Sequence, residues 1–451
     1  MYNISNHKLA GSLPSSRLAQ AVEKLEVSKQ FDPVLSTSTY SPIACYVLKV
    51  ASRCNLNCTY CYMYNLADKS YRQQPAVMSQ QVVDATITRI QEHAQRHGLK
   101  SVTLIFHGGE PLLAGQSFFR YFVDSAKTRL RPAVSPCFSM QTNATLLSTQ
   151  WLALLAELGI GFGISLDGPA EINDASRVDH QGRGSYEKVL EAIQLITSVQ
   201  ECVNHSVSVL TVINLEADPL ETYRHIRSLG LGGIDFLLPD GTYDNPPPGL
   251  TALAGDTPYA DWLIPIFDQW FESADGSFGI RLFENIIGLI FGSERTTDYI
   301  GGRKGSCVVI ETDGGIEPVS ALKACGEGFT KVGLNVLTNQ IDDLYALPLF
   351  RPYLGGVDEL CDRCKQCPIV NVCGGGYLPH RYRSANGFDN PSIYCKDLVK
   401  LISHIQERTL NTLPKDMRSE MGLATLPELK DRQQCSTESL TPAPVSGSAG
   451  F

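Results

Sequence analysis

Six short apolar segments alternate with helical segments between residues 46 and 238, and this alternation constrains the fold more than any other feature. The helical periodicity is clearest at 80–96 and 150–158. Strands that alternate with helices indicate βα units and a parallel sheet. Six such units predict an α/β fold with a partial or complete barrel, whose functional residues collect at the carboxyl ends of the strands. The predicted strands cover residues 46–51, 101–106, 137–141, 160–166, 206–213 and 234–238.

Composition shifts along the chain predict where this barrel begins and ends. A short helical stretch is predicted at Leu18–Leu25, and a proline- and glycine-rich break lies at 240–249. Aromatic residues at helical spacing over 258–292 are typical of a packed amphipathic helix, and a further helix is predicted at 397–412. The polar tail buries little surface and is predicted to be disordered. The predicted parts are an N-terminal extension (1–40), a core barrel (41–240), a helical linker (241–300), a cysteine-rich domain (301–412) and a disordered tail (413–451).

The chain contains fourteen cysteines, and its other bulk properties indicate that these are not paired in disulfides. No segment approaches the ~18 consecutive apolar residues of a spanning helix, and the N-terminus lacks the apolar core of a secretory signal. We therefore expect a cytoplasmic protein without a membrane partner, in a compartment where thiols stay reduced. Metal or cluster binding then explains the cysteines best. The net charge of −9 argues against nucleic acid as the main partner.

The first cysteine cluster, Cys54-x3-Cys58-x2-Cys61, directly follows the first predicted strand. A cubane [4Fe–4S] cluster takes four thiolates, so three thiolates leave one iron open, as a catalytic metal site requires. The motif resembles that of the radical S-adenosylmethionine (SAM) superfamily, including the aromatic Tyr60 before the third cysteine. The resemblance implies a TIM-like radical SAM barrel, with SAM bound to a cluster on these cysteines and cleaved to a 5′-deoxyadenosyl radical. The alternatives are a zinc knuckle or three unrelated buried cysteines.

Three further motifs stand after predicted strands, where a radical SAM enzyme binds SAM. In the 106–110 motif, glycines allow the backbone to approach a ligand closely, and Glu110 offers an acceptor for the SAM ammonium group. By resemblance, Ser165 and Arg177 would hold the SAM carboxylate, while Asn143 and Asp167 would line the pocket. The implied cofactor-binding residues are Tyr60, Gly108, Gly109, Glu110, Asn143, Ser165, Asp167 and Arg177.

A second cysteine cluster resembles the SPASM domain, which carries auxiliary iron–sulfur clusters in enzymes that modify peptides and proteins. The resemblance implies at least one auxiliary [4Fe–4S] cluster. A four-thiolate zinc site would also accept this spacing. The implied ligands are Cys364, Cys367, Cys373 and Cys395.

This second cluster departs from the SPASM pattern at two positions. Ser320 and Tyr377 stand where the pattern has cysteines. Both missing thiolates belong to a second auxiliary cluster, whose presence is therefore open. Its substitute ligands would be Cys307, Cys325 and Cys361, whereas Cys45, Cys137, Cys202 and Cys435 are interpreted as ordinary residues, since free cysteine packs as a small hydrophobe.

Within the SPASM group, four segments resemble the maturases that form cyclophane crosslinks in ribosomally made peptides: 62–75, 310–317, 373–382 and 388–395. The resemblance implies a short precursor peptide as substrate and a C–C bond between a β-carbon and an aromatic ring. It also implies an electron donor such as flavodoxin or ferredoxin. The alternatives are an anaerobic sulfatase-maturating enzyme, which forms formylglycine, and a non-catalytic iron–sulfur or zinc binding protein.

The residue that accepts a proton in such a reaction is not identified by any motif. Candidates are named by residue type alone, and carboxylates are mostly exposed and solvated. They are Asp235, Asp240, Asp244, Asp313 and His380.

Overall fold

The structure is a computed structural model that describes residues 40–199, 207–250, 256–273, 276–293, 297–302 and 304–429. Within these ranges, no helix combines the length and the apolar character needed to cross a membrane. The predicted helix at Leu18–Leu25 and almost all of the predicted N-terminal extension lie outside the described residues, as do Cys202 and Cys435.

In the described ranges, one sheet of nine strands forms the centre of the fold, in the order β7-β6-β5-β4-β3-β2-β1-β8-β9. The six predicted strands are adjacent, in sequence order and parallel, which confirms the α/β fold with a (β/α)6 core. Because β7 and β9 are edges, the described strands form a partial barrel. The strands are β1 (Cys45–Ala51), β2 (Ser101–Gly108), β3 (Ser135–Thr142), β4 (Ile160–Ser165), β5 (Ser208–Val212), β6 (Gly233–Leu237), β7 (Gly279–Ile280), β8 (Cys307–Ile310) and β9 (Ile316–Glu317).

Helices cover the outer face of the sheet and bury its apolar side chains. Phe106 on β2, for example, packs against Phe119 and Phe122 at ring-centroid distances of 5.0 and 5.2 Å. The helices of the core are α1 (Gln80–Arg96), α2 (Gln116–Leu130), α3 (Thr149–Leu158), α4 (Ala170–Ser176), α5 (Tyr186–Ser198) and α6 (Pro219–Ser228). Those that follow it are α7 (Pro258–Glu272), α8 (Arg281–Ile290), α9 (Arg351–Leu354), α10 (Asp362–Lys365), α11 (Val370–Cys373), α12 (Cys395–Leu410) and α13 (Lys415–Glu420).

The first strand shows how the sequence directs side chains to the two faces of the sheet. Tyr46, Leu48 and Val50 are fully buried, and alternate residues of a strand point to opposite faces. Val47 and Lys49 therefore face the barrel interior. Lys49 is paired in register with His107 on β2, so the inner face of the sheet carries polar groups.

The segment predicted as a helical linker is part of the folded core. It contains two helices, α7 and α8, separated by β7, which pairs with β6 and extends the sheet. Helix α7 contacts α6 and α12, so this segment joins the barrel to the C-terminal region. The cysteine-rich region then returns to the opposite edge, where β8 pairs with β1.

The prediction of a disordered tail is wrong for residues 413–429. Helix α13 lies there, and Leu413, Ala424 and Leu426 are buried. These few apolar side chains are enough to hold the segment against the core, although the composition around them is polar. Residues 430–451 lie outside the described residues.

Candidate active site

The first cysteine cluster lies at the carboxyl end of β1 and opens into a cavity of about 320 Å³. Cys54, Cys58 and Cys61 all line this cavity. The Cys61 N–H donates to the Cys58 carbonyl at 3.1 Å, and the Leu56 N–H donates to Cys54 Sγ at 3.4 Å. Backbone hydrogen bonds within a tight loop therefore bring the three thiols to one wall of one cavity.

These thiols suit a soft metal centre. Burial raises the pKa of Cys54 to about 12 and that of Cys61 to about 11, and it also raises the pKa of Cys58. A metal ion displaces such protons because it binds the thiolate, and iron–sulfur clusters are held by cysteine thiolates. Asn143 Nδ2 also lies 3.6 Å from Cys54 Sγ. The donor set fits a cluster with three protein ligands.

The two glycines after β2 are required by the cysteine loop itself. Gly108 has φ +142°, and the Gly109 N–H donates to the Ala51 carbonyl at 2.8 Å. A Cβ atom at Gly109 would collide with the Tyr64 hydroxyl and the Arg53 carbonyl. The backbone of the 106–110 motif therefore packs directly against the loop that carries the cysteines.

We expect Gly109→Ala to lower the iron content and the thermal stability, because the new methyl group displaces the cysteine loop. Iron per chain and the melting temperature measure the two effects. Gly161→Ala is the matched control, since the nearest atom to a Cβ there lies 3.9 Å away. Iron binding and stability equal to those of the wild type in Gly109→Ala would contradict this account of the motif.

Glu110 does not line the cavity of the cysteines, and a contact of its carboxylate with the SAM ammonium group stays a prediction. Its side chain is fully buried. One oxygen accepts hydrogen bonds from Thr142 Oγ1 at 2.7 Å and from the Leu112 N–H at 3.1 Å, and the other accepts from the Asn143 N–H at 2.8 Å. Glu110 thus ties the end of β2 to the end of β3 and positions Asn143.

A chain of hydrogen bonds links three other predicted residues beside the cysteines. Arg177 Nη1 donates to the Tyr60 hydroxyl at 2.8 Å, which donates to Asp167 Oδ2 at 2.6 Å. Asp167 Oδ1 accepts from the Val212 N–H at 3.0 Å. Burial lowers the pKa of Arg177, but the neighbouring Tyr60, Cys58 and Asp167 raise it by more. The guanidinium at the cavity wall is therefore permanently charged. Ser165 and Asn143 line the same cavity.

The structure brings Cys361 together with the four predicted auxiliary ligands. Burial and the neighbouring Cys361, Cys373 and Cys395 raise the pKa of Cys364 to about 12. Burial and the nearby Cys395 and Cys367 raise that of Cys373 to about 12. In the part of the chain that the structure describes, no three cysteine sulfurs lie within 4.8 Å of one another. With Zn–S bonds of 2.3 Å, tetrahedral zinc holds its sulfurs about 3.8 Å apart, so the arrangement is wider than a zinc site requires.

A buried arginine faces this second group of cysteines. Arg381 is 4% exposed. Its Nη2 donates to the Pro352 carbonyl at 3.1 Å, but its Nε and Nη1 atoms have no hydrogen-bond partner among the described residues. Cys364, Cys361 and Cys373 interact electrostatically with its guanidinium. A buried cation with unsatisfied N–H groups and no carboxylate partner is costly, and an anionic thiolate cluster at this place would compensate it. The site therefore fits an iron–sulfur cluster.

The other two substitute cysteines do not join this group. Cys307 on β8 lies beside Cys45 on β1, with the two sulfurs 3.3 Å apart. Cys325 ends a 3₁₀ turn and interacts electrostatically with Asp244 and Asp240. Ser320 and Tyr377, which stand at the two missing cysteine positions, line the cavity of the first cysteine cluster.

Sequence reasoning did not assign several residues that line this cavity. Behind two of them lies Lys49, which is fully buried and does not itself line the cavity. Its Nζ donates to the Tyr62 hydroxyl at 3.1 Å and lies 3.3 Å from His107 Nδ1. The alternation along β1 is a signal that could have placed Lys49 inside the barrel. No local signal marks Tyr299, which reaches the cavity from the loop before β8. The unassigned lining residues include Tyr62, His107, Asp298 and Tyr299, whereas Asp240, one of the candidate proton acceptors, also lines the cavity.

Comparisons with known proteins agree with this geometry. Residues 48–225 match the family model of the radical SAM superfamily. The chain is 25% identical over 350 residues to a cysteine-type anaerobic sulfatase-maturating enzyme of Clostridium novyi, covering 77% of this chain and 90% of the relative. It is 24% identical over 423 residues to a serine-type enzyme of Bacteroides thetaiotaomicron, covering 88% and 98%. The solved structure of native anSMEcpe with bound AdoMet and Cp18Cys peptide superposes with a TM-score of 0.69 at 22% identity, covering 82% and 99%. That last likeness concerns the fold.

Proposed function

We propose that this protein, a radical SAM enzyme, modifies a peptide substrate by forming a C–C bond between a side-chain β-carbon and an aromatic ring. The observation that carries the proposal is the position of Ser320 and Tyr377. Both line the cavity beside the radical SAM cysteines, at sequence positions where the SPASM pattern has the thiolates of a second auxiliary cluster. The space beside the reactive site is therefore bounded by side chains suited to a substrate.

The residues around the cavity would hold SAM and its cluster as follows. Cys54, Cys58 and Cys61 would ligate the cluster, and Arg177 would carry the positive charge that a carboxylate needs, positioned by Tyr60 and Asp167. When bound, the cluster and SAM supply a 5′-deoxyadenosyl radical that abstracts a hydrogen atom. The protein supplies position and electrostatics, as it does for cofactor chemistry in general.

The second group of cysteines would hold one auxiliary cluster. Cys364, Cys367, Cys373 and Cys395 provide a full set of thiolates, with Cys361 adjacent. The buried guanidinium of Arg381 favours a negatively charged occupant. Since all four positions are filled by protein, this cluster suits electron transfer rather than direct substrate binding. An electron donor such as flavodoxin or ferredoxin would serve the enzyme.

The size of the open space supports a peptide substrate. The cavity at the cysteines shares His107, Gln141, Tyr299 and Tyr377 with a larger cavity of about 810 Å³ in the barrel interior. Glycines and serines of β3, β4 and β5 line that larger cavity, including Ser139, Gly161, Gly163 and Ser208. Small side chains leave room for a polypeptide backbone to approach the strands.

A second candidate function is formylglycine formation, and the curated relatives favour it. They are named as cysteine-type and serine-type anaerobic sulfatase-maturating enzymes and match most of this chain. Against this candidate stands the departure from the SPASM pattern described above, which provides thiolates for two auxiliary clusters. Ser320 and Tyr377 remove two of the thiolates that the second cluster would need.

Analysis of the modified peptide separates the two functions. Both a crosslink and formation of formylglycine from serine remove two hydrogen atoms from the peptide, so the mass change alone does not decide. We expect a product of co-expression with the cognate peptide that resists fragmentation between the joined residues and shows a new aryl–carbon bond by NMR. A product that fragments as a linear peptide and forms an aldehyde adduct would establish the second function. Replacing the aromatic residue of the peptide should abolish the product only if a crosslink forms.

A further inference from the structure

Asp240 follows β6 and lines the cavity of the radical SAM cysteines, together with Tyr62, Tyr299 and Tyr377. Its side chain is half-buried and forms part of the wall of this cavity. Three tyrosines and one carboxylate therefore share the wall of the space in which a substrate would react.

No residue that the structure describes donates a hydrogen bond to the Asp240 carboxylate, and in this it differs from the other candidate bases. Asp235 accepts from Arg281 Nε at 2.8 Å, and Asp244 accepts from the Ser384 N–H at 2.7 Å. His380 is 1% exposed and lies outside this cavity. A half-buried carboxylate without a donor loses part of its hydration without compensation, and such groups cluster at functional sites.

The loop that carries Asp240 is held by the C-terminal region. The Tyr394 hydroxyl donates to the Pro239 carbonyl at 2.8 Å, and the Tyr243 N–H donates to the Tyr382 carbonyl at 3.0 Å. The backbone on both sides of Asp240 is thus fixed by the region that carries the second group of cysteines. A carboxylate held in this way is preorganised for a bound substrate.

The tyrosines beside Asp240 form a surface that suits an aromatic ring. Tyr299 and Tyr377 lie with ring centroids 4.5 Å apart at an interplanar angle of 38°. Aromatic side chains prefer offset or tilted contacts at such distances. Tyr62 is oriented by the hydrogen bond from Lys49. Burial, followed by the nearby Asp240, raises the pKa of Tyr299, and burial, followed by Tyr299 and Asp240, raises the pKa of Tyr377. These two phenols therefore stay neutral and present apolar rings with polar edges.

We infer that these tyrosines seat the aromatic side chain of the substrate and that Asp240 accepts the proton which the substrate loses. The inference rests on the proposed function. As the β-carbon bonds to the ring, the ring carbon must lose its hydrogen as a proton and an electron. The proton passes to the Asp240 carboxylate, and the electron passes to a one-electron acceptor of the iron–sulfur class. The new C–C bond replaces one C–H bond at each carbon, so the peptide loses two hydrogen atoms.

Other polar groups in the cavity or beside it are less suited to accepting this proton. Burial, together with the charge of Lys49, lowers the pKa of His107 to about 3, which makes it a weak base. Lys49 already donates to Tyr62. Burial raises the pKa of Asp240 to about 7, and a general base works best when its pKa lies near the operating pH.

The test compares Asp240→Asn with Asp244→Asn, a matched change four residues away in the same loop. Holoenzyme with SAM, reductant and the cognate peptide is assayed for 5′-deoxyadenosine and for the product that has lost two hydrogens. We expect Asp240→Asn to lower the ratio of product to 5′-deoxyadenosine about 100-fold, which is typical of losing a general base, while Asp244→Asn keeps the wild-type ratio. A ratio within about threefold of the wild type in Asp240→Asn, or loss of 5′-deoxyadenosine itself, would overturn the inference.

This ratio separates the inference from the proposed function. If the wild-type product is an aldehyde, the proposed crosslinking function is wrong. The ratio of product to 5′-deoxyadenosine in Asp240→Asn still tests whether Asp240 accepts a proton. If the crosslink forms and the ratio in Asp240→Asn is unchanged, only the role of Asp240 is wrong.

Acidity and stability give two further readouts that a structural role would not produce. In the wild type, the ratio should fall as the pH drops through about 7, because the carboxylate becomes protonated. Asp240→Asn should also raise the melting temperature above that pH. Because the pKa of Asp240 is raised in the folded state, the folded chain binds more protons than the unfolded chain above a pH of about 4. The ionised carboxylate therefore lowers the stability of the folded protein. An unchanged or lowered melting temperature would indicate a structural role. The titratable and charged groups around Asp240 are Tyr62, Tyr299, Cys325, Tyr377 and Tyr394. His107 and Asp298 lie in the wider cavity, and Lys49 lies beside Tyr62.

Discussion

Cys58→Ala should abolish the formation of 5′-deoxyadenosine and leave the auxiliary iron in place. Cys58 is the middle one of three thiols on one cavity wall. A cluster that is held by only three protein ligands should not bind when one of them is lost. Two cubane clusters hold about eight iron atoms per chain, so the variant should retain about four. Iron analysis and chromatography of the reaction with SAM and dithionite measure both effects.

The matched control for this experiment is Cys137→Ala. Cys137 lies on β3 and is exposed, so its loss should change neither the iron content nor the rate. Formation of 5′-deoxyadenosine at the wild-type rate in Cys58→Ala would remove the assignment of the first cysteine cluster. Loss of all iron would instead show that the two clusters are not independent.

The barrel strands were predictable because their signals are local. Helix α1 has the bounds that its periodicity predicts, since Ser79 caps it by accepting from the Val82 N–H at 3.3 Å. Each strand is an apolar run ended by turn residues, which reflects burial between helices on one face and the barrel interior on the other. The cysteine spacings are equally local, because each set lies largely within one loop.

The parts that the sequence did not reveal depend on contacts between distant segments. Ser320 and Tyr377 are 57 positions apart and yet line one cavity. Glu110 follows two glycines in a motif that suggests a ligand contact, but whether its carboxylate faces the ligand or the backbone depends on the turn after β2 and on Thr142. Cys361 joins the second cysteine group only because the short helix α10 folds it back towards Cys364.

Two of the segments that resemble cyclophane maturases prove to be joined by a buried charge network. Lys323 lies at its centre, with its Nζ 3.0 Å from Glu317, 3.2 Å from Glu311 and 3.8 Å from Asp68. Asp68 belongs to the 62–75 segment, and the two glutamates belong to the 310–317 segment. All four side chains are at most 5% exposed. These motif residues therefore hold the loop after the cysteines against β8 and β9.

Lys323→Met should accordingly be among the most destabilising single changes in the protein. It leaves three buried carboxylates without their cation, and breaking a buried ion pair costs about 3–5 kcal/mol of unfolding free energy. Burial lowers the pKa of Lys323, but Glu311 and Glu317 raise it by more. In the wild type, the lysine is therefore positively charged throughout the neutral pH range. Denaturant unfolding measures the loss.

The pH dependence of this variant identifies the cause of the loss. Burial and the neighbouring Glu311 already raise the pKa of Glu317 in the wild type, and removing the lysine raises it further. The folded variant then binds more protons than the unfolded chain above the ordinary glutamate pKa, so its stability falls as the pH rises through that window. Lys323→Met should therefore be most stable at mildly acidic pH, and adding Glu317→Gln should restore part of the lost stability.

The control is Lys331→Met, which removes an exposed amine 3.4 Å from Gln73 Oε1 and should change the free energy of unfolding by less than about 0.5 kcal/mol. Equal losses in the two lysine variants, or a loss in Lys323→Met that does not depend on pH, would show that the carboxylates are not what the lysine stabilises.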